Sequence, residues 1–238
     1  MNQENPPFYK GWEYAQKGDY HRNLDPNWSY TPTYLRKLHF VRKQIQNLGP
    51  DARILDAGCG EGVLVEEFRA QGYSIVGLDL NYESHAVCRG SILEIPYEDR
   101  AFDLVLLLDV LEHLNFLDQP VALAEIYRVL CQGGEFVASV PNLAHWNSRF
   151  RMALLGHLDR TDLDTNHIGE RPYKENRHLI RTAGFQIVRT KGITLTVPLL
   201  YRGVICRRPA WFKWLHDLLD LFACPPLAMI TLFFCRKV

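Results

Sequence analysis

The sequence lacks several features that would each fix its class. No uninterrupted apolar run reaches the roughly 18 residues that span a bilayer, and the nearest run, 221–235, contains two consecutive prolines. The six cysteines form no CxxC pair, which argues against a structural zinc site and a disulfide scaffold. The N-terminus shows no basic segment followed by an apolar one, as a signal peptide would. We therefore expect a protein of the reducing cytoplasm.

The chain also lacks an excess of either charge, with 27 Lys and Arg against 27 Asp and Glu. A general nucleic-acid binder needs surplus cations to displace counterions, so we expect no nucleic-acid partner. The 238 residues, 47% of them hydrophobic, suffice for one α/β domain with a real core. A site for a small molecule is compatible with all of these features.

Strands alternate with helices from residue 53 onward. This alternation predicts an α/β, doubly wound, mostly parallel sheet. A helix is predicted over 31–48, another ends at Gly133-Gly134, and a third covers 173–183. The predicted strands are 53–56, 74–79, 102–108, 136–140, 185–189 and 229–235. We divide the chain into an N-terminal arm and helix, 1–48, and a main domain, 49–238, in which 142–170 and 191–228 are insertions on the substrate side.

A glycine-rich turn follows the first predicted strand directly, over 56–62. Its glycines allow a sharp bend and the close approach of a ligand. The second strand ends at Asp79, 21 residues after Gly58, a spacing at which a carboxylate can accept both hydroxyl protons of a ribose. An adenosine-type ligand is therefore implied. Asp56, two residues before the first glycine, would repel a pyrophosphate but suits an ammonium group.

Three stretches of the chain resemble the class I S-adenosylmethionine-dependent methyltransferases, and within them the bacterial small-molecule branch that includes ubiquinone-biosynthesis-type O-methyltransferases. They are IleLeuAspAlaGlyCysGlyGluGly (54–62), ValGlyLeuAspLeu (76–80) and PheAspLeuValLeuLeuLeuAspValLeuGluHisLeu (102–114). The resemblance implies a Rossmann-like sheet of seven strands, of which the last, 229–235, is antiparallel. It also implies an enzyme that uses S-adenosyl-L-methionine and releases S-adenosyl-L-homocysteine.

The resemblance further assigns the cofactor-binding residues. The glycine loop would pack against the methionine part, Asp79 would hold the ribose, and the pair Ser91-Ile92 would border the adenine. Leu108 and Asp109 would line the methyl-donor pocket. The full predicted cofactor set is Asp56, Gly58, Cys59, Gly60, Gly62, Asp79, Leu80, Ser91, Ile92, Leu108 and Asp109.

Three histidines are candidates for a general base that removes a proton from an acceptor hydroxyl: His113, His145 and His167. Base assistance of this kind is typically worth about 10²–10⁴-fold. The alternative for each is a histidine that bonds neighbouring backbone or side chains. Asp109, Glu112 and His113 would share one helix face and could hold a divalent cation; in the alternative, Asp109 caps the helix. We expect no metal.

Large apolar residues and arginines alternate through 196–228, as in the segment from Arg207 to Trp214. This stretch could form a lid, a membrane-surface element, a homodimer face or ordinary core. We predict a methyltransferase that acts on a small-molecule acceptor, at oxygen. The alternatives are a cofactor-binding protein of the same fold without turnover and a lipid- or glycan-directed methyltransferase at a membrane surface.

Overall fold

The computed structural model describes residues 22, 24–25, 28–156, 158 and 167–238. Most of the arm predicted over 1–30 therefore lies outside the described residues. The strands are β1 (Ile54–Ala57), β2 (Ile75–Asp79), β3 (Val87–Arg89), β4 (Phe102–Leu108), β5 (Leu130–Pro141), β6 (Phe185–Leu195) and β7 (Ala228–Lys237). The α-helices are α1 (Thr31–Leu48), α2 (Val63–Arg69), α3 (Asp118–Val129), α4 (Trp146–Leu155), α5 (Tyr173–Thr182), α6 (Leu200–Gly203) and α7 (Lys213–Asp220). Short 3₁₀ turns occupy Leu111–His113 and Ile205–Arg207.

The strands form one seven-stranded sheet in the order β3-β2-β1-β4-β5-β7-β6. Strand β7 runs antiparallel to both β5 and β6, whereas the pairs among β1 to β5 are parallel. The Rossmann-like, mostly parallel sheet with an antiparallel last strand is thus confirmed.

The core lies on both faces of the central strand β4. Four of its residues, Leu104 to Leu107, have no exposed surface, as expected for a parallel strand covered by helices on each side. Residues alternate between two apolar clusters, one that includes helix α3 and one that includes α1 and α2. Helix α1 contributes Val41 and Ile45, both fully buried, which explains why the predicted apolar spacing over 31–48 is helical.

Three boundaries differ from the prediction. Helix α3 ends at Val129, not at Gly133-Gly134, because Leu130 is already extended (φ −76°, ψ 140°) and buried as the first residue of β5. The three-residue edge strand β3 was not predicted, since it is too short to show a periodicity. Strand β6 continues through 191–195, so the predicted insertion 191–228 begins only at residue 196.

The sheet topology determines where a ligand can bind. In an open α/β sheet, ligands bind at the edge where the parallel strands end; we call this the carboxyl edge. Strand β6 also ends there, because β5 and β6 are both antiparallel to β7. None of the described helices combines the length and the apolar character needed to cross a bilayer.

Candidate active site at the carboxyl edge

The glycine loop after β1 has the sharp bend that its sequence predicts. Gly58, Gly60 and Gly62 all have positive φ angles, of 76°, 58° and 77°, which side chains other than glycine rarely adopt. Space is restricted as well: a Cβ on Gly62 would lie 2.6 Å from Cγ2 of Val87, and one on Gly58 would collide with Val110. These positions require glycine both for conformation and for packing.

Asp79 fixes this loop from the end of the neighbouring strand β2. Its Oδ2 accepts a hydrogen bond from the Gly60 backbone N–H at 2.9 Å, and its Oδ1 accepts one from Asn81 N–H at 2.9 Å. The structure therefore brings Asp79 and the loop together, as the 21-residue spacing predicts.

Asp56 is buried at 4% exposure within β1, two residues before the loop. Burial, and to a lesser degree the nearby charge of Asp79, raises the pKa of Asp56 to about 7, while Lys37 acts in the opposite direction. A buried carboxyl of this kind gains most from a ligand that brings a positive charge. This environment fits the ammonium partner that the sequence predicts for Asp56.

The remaining predicted cofactor residues lie at or near the same edge. Leu80 follows β2 and is 42% exposed, and Leu108 ends β4. After β3, the Ser91 hydroxyl accepts a hydrogen bond from Leu93 N–H at 3.1 Å, and Ile92 packs into the core. Cys59 lies against Gly77 of β2, where no Cβ would fit.

Asp109 does not act as the helix cap that the sequence offered as its alternative role. It has a positive φ of 56° and precedes a 3₁₀ turn. Its carboxylate accepts hydrogen bonds from Lys37 Nζ, from Tyr30 Oη at 2.8 Å and from Ser139 Oγ at 2.5 Å. Burial acts to raise the pKa of Asp109, but the Lys37 charge and these hydrogen bonds hold it below its usual value.

Sequence reasoning missed Lys37, which is only 3% exposed. Its ammonium also lies 5.2 Å from the centre of the Tyr34 ring and 5.8 Å from that of Tyr30. The sequence contains a sign of this buried lysine, since Lys37 interrupts the apolar face of α1 between Tyr34 and Leu38. A lysine at such a position needs a buried anion, and Asp109 supplies it.

The acidic and histidine cluster has a different membership from the predicted one. The structure brings together Glu112, His113 and His167, whose candidate ligand atoms all lie within 4.8 Å of one another. The two imidazole rings meet edge to face, with centroids 4.7 Å apart. Asp109 is held by Lys37 instead. The grouping of Asp109, Glu112 and His113, which the sequence offered only as an alternative, therefore differs in one member from the cluster that the structure forms, which contains His167.

Glu112 is 3% exposed, and its Oε2 has no hydrogen-bond partner among the described residues. Burial and the charge of Asp109 raise its pKa well above the usual value. The loop that carries His167 is tied to the 3₁₀ turn by Gln119, whose Nε2 donates to the carbonyls of Leu111 (3.0 Å) and Gly169 (2.7 Å). The three donor groups are of types that a divalent cation accepts.

His145 is placed by the structure at the start of helix α4. Its Nδ1 lies 2.7 Å from Thr196 Oγ1 and 3.5 Å from the backbone N–H of Ser148, which it caps. The side chain is 6% exposed. The geometry therefore favours the bonding alternative for His145.

Comparisons with known proteins identify the family of the chain. The family described as a methyltransferase domain matches residues 28–190, more than half of the chain. A Mycolicibacterium smegmatis protein named a probable S-adenosylmethionine-dependent methyltransferase is 29% identical over 170 residues, 67% of this chain and 62% of that protein. A ubiquinone biosynthesis O-methyltransferase of Burkholderia thailandensis is 27% identical over 196 residues, 73% of this chain and 82% of that protein.

Among solved structures, a SAM-dependent methyltransferase from Thermotoga maritima aligns with a TM-score of 0.59 and 16% identity, over 96% of this chain and 99% of that one. This likeness shows the fold. The match to the mycobacterial relative spans just over three fifths of that protein's length. On the family match, the chain belongs to the methyltransferase domain family.

Proposed function

We propose that this methyltransferase transfers its methyl group to an oxygen of a small-molecule acceptor, with the His113–His167 pair as the proton acceptor. The observation that carries the proposal is the placement of this pair. His113 follows β4, the direct neighbour of the strand that bears the glycine loop, and the His167 ring lies 4.7 Å from the His113 ring between centroids. The similarity to a ubiquinone biosynthesis O-methyltransferase supports an oxygen acceptor.

In this proposal the cofactor is held by the loop and its two acids. Asp79 accepts the ribose hydroxyls, and Asp56 binds the ammonium of the methionine part. The loop backbone packs along the methionine part, Ser91 and Ile92 border the adenine, and Leu108 and Asp109 form the wall beside the methyl group. The hydrogen bond from Gly60 to Asp79 supports this arrangement, because it orients loop and carboxylate toward one ligand.

The chemistry needs little from the protein besides alignment. A sulfonium methyl already has a neutral thioether as its leaving group, so the acceptor must be held in line with the S–CH₃ bond while water is excluded. Positioning of this kind can supply about 7–11 kcal/mol. An acceptor hydroxyl must also lose its proton, and a histidine of the pair takes it. We propose that 142–156, 167–170 and 196–227 cover the acceptor side; the rest of the predicted insertion 142–170, apart from residue 158, lies outside the described residues.

A second candidate role for the same cluster is to hold a divalent cation. Glu112, His113 and His167 offer the close donor set that supports it. Such an ion would lower the pKa of the acceptor hydroxyl, so a base would then be dispensable. Loss of turnover in EDTA, restored by one added metal, would assign the cluster to the ion.

The test has two stages. Calorimetry with S-adenosyl-L-homocysteine measures binding at the predicted cofactor site. Transfer of a labelled methyl group is then followed for matched pairs of acceptors that differ only in an OH or an NH₂ group, beginning with catechols and their aniline analogues. We expect binding, and transfer to the hydroxyl member alone. Transfer to the amine member alone would contradict the oxygen assignment, and binding without any transfer to acceptors or cell extracts would favour the non-catalytic alternative.

A further inference from the structure

The connection between β6 and β7, residues 196–227, begins and ends at the carboxyl edge. It starts after Leu195 and returns to the sheet at Ala228, and these two residues lie opposite each other in the β6–β7 ladder. It is anchored there by a small apolar cluster that includes Leu219 and Ala223. The connection is therefore attached to the sheet at the same edge as the glycine loop.

In helix α7 of this connection, polar side chains face the core and apolar side chains face outward. It buries His216 and Asp220, each 2% exposed, while Trp214 is 64% and Leu218 is 47% exposed. A surface helix of a globular protein normally does the opposite. The outward-facing apolar side of α7 is thus a feature that the rest of the fold does not explain.

Polar contacts hold the helix in this orientation. The backbone N–H of Thr194 donates to Asp220 Oδ1 at 2.7 Å, and the Thr194 hydroxyl lies 3.2 Å from His216 Nε2. The same hydroxyl is 2.6 Å from that of Thr33 in helix α1. Because its polar face is bonded to β6 and the core, α7 cannot rotate to bury Trp214 without breaking these contacts.

Exposed apolar residues also lie before and after the helix in the same connection. We call the exposed apolar residues of this connection together the α7 surface; its large members are Leu199, Trp211, Trp214, Leu218, Leu221 and Phe222. Arg207, Arg208 and Lys213 are exposed in the same connection; the Arg208 guanidinium is 5.6 Å from the Trp211 ring centre, and Lys213 Nζ pairs with Asp217 Oδ2 at 2.5 Å. Over 196–227 there are four Lys and Arg against two Asp, although the whole chain has no net charge.

We propose that the α7 surface docks the protein on an anionic lipid bilayer. Tryptophan, leucine and phenylalanine beside arginine and lysine form the composition that enters the interface between acyl chains and acidic headgroups. A second copy of the chain fits less well, because a two-fold interface would place the same surplus cations against each other. Docking brings the carboxyl edge to the membrane surface, so acceptors at that surface reach the site directly.

Vesicle co-sedimentation tests the proposal with the full chain. Vesicles of phosphatidylcholine alone are compared with vesicles that contain 30% phosphatidylglycerol. We expect partition into the acidic vesicles only. Trp214→Ser combined with Leu218→Ser should lower this partition by about tenfold or more, and so should Arg207→Gln combined with Arg208→Gln. A matched control, Val188→Ser, removes an exposed apolar side chain from β6 and should change nothing.

Unchanged binding of S-adenosyl-L-homocysteine shows that each variant is folded. Failure of the unaltered protein to bind acidic vesicles would overturn the proposal. Equal binding to both vesicle types, unchanged in both double variants, would also overturn the proposal. Sedimentation equilibrium supplies the remaining outcome: a dimer that Trp214→Ser with Leu218→Ser converts to a monomer would assign the α7 surface to a second copy. None of these readouts depends on methyl transfer, so they stand apart from the test of the acceptor.

Discussion

The two halves of the carboxyl edge hold their functional groups by different means. In the cofactor half, Asp79 and the glycine loop lie within 25 residues of each other and are joined by a backbone hydrogen bond. In the acceptor half, His113 and His167 are 54 positions apart, and their segments are joined by Gln119 and by a 2.9 Å hydrogen bond from Gly169 N–H to the Glu112 carbonyl. The cofactor half thus has a local sequence signature, whereas the acceptor half is a product of the tertiary fold.

The largest expected effect is a loss of turnover, without a loss of cofactor binding, when the acceptor half is changed. His167→Ala should lower kcat by about 10²–10⁴-fold, the range of general-base assistance. It should leave the Kd for S-adenosyl-L-homocysteine unchanged, because His167 belongs to no part of the cofactor half. Steady-state kinetics and calorimetry on the same protein measure both quantities.

His145→Asn is the matched control for this comparison. Asparagine is a good helix N-cap, so it can replace the capping contact to Ser148, and kcat should stay near that of the unaltered protein. If His145→Asn loses as much activity as His167→Ala, the base has been assigned to the wrong histidine.

Lys37 acts on two acids of the cofactor half, because its charge lowers the pKa of Asp56 and its ammonium bonds to Asp109. Removing one partner of a buried ion pair leaves the other uncompensated, so Lys37→Met should lower the free energy of unfolding by about 3 kcal/mol. In the variant burial would raise the pKa of Asp109, so the loss should be larger at pH 8 than at pH 5. Denaturant unfolding at both pH values measures it.

Lys43→Met on the same helix provides the baseline, since its side chain is exposed and such changes usually stay within about 0.5 kcal/mol. In the double variant Lys37→Met, Asp109→Asn, part of the lost stability should return, because the unpaired charge is gone. A destabilisation of equal size in Lys43→Met would show that the buried pair is not its cause.

The sequence predicts the features of the cofactor half better than those of the acceptor half. The sheet, the loop and Asp79 are predictable, because their signals are apolar runs and glycine spacing within a short stretch. The placement of His167 beside Glu112, and of Lys37 on Asp109, depends on contacts between distant segments that no local pattern encodes. Helix α7 is unrecognisable from its periodicity alone, because His216 and Asp220 occupy the buried face that a pattern search assigns to leucine.

A smaller effect is expected for the ribose contact in the cofactor half. Asp79→Ala should weaken S-adenosyl-L-homocysteine binding by about 1–3 kcal/mol, the scale of hydrogen bonds to a charged group. Calorimetry measures it. Asp103→Ala is the control: it removes an acid whose partner is Arg53 at the opposite end of the sheet, and it should leave affinity unchanged. Equal affinity in a folded Asp79→Ala protein would refute the ribose assignment.

The smallest effect tests the charge state of Asp56. Its pKa of about 7 in the unliganded protein means that the carboxyl carries a proton at pH 6 and has lost it at pH 8. An ammonium ligand prefers the charged form and lowers that pKa, so binding below pH 7 must release a proton. Affinity for S-adenosyl-L-homocysteine should therefore rise with pH, by at most about tenfold per unit, and level off above 7.

Asp56→Asn should remove this pH dependence while it binds more weakly at pH 8. The stability of the unliganded protein changes with pH in the opposite direction from the affinity. The folded pKa of Asp56 lies above its unfolded value, so the unliganded protein loses stability as pH rises from about 4 through 7, and Asp56→Asn should stabilise it most at pH 8. An affinity that is flat between pH 6 and 8 in the unaltered protein would show that Asp56 does not meet the cofactor's charge. Binding of the cofactor would then depend on Asp79 and the loop backbone alone.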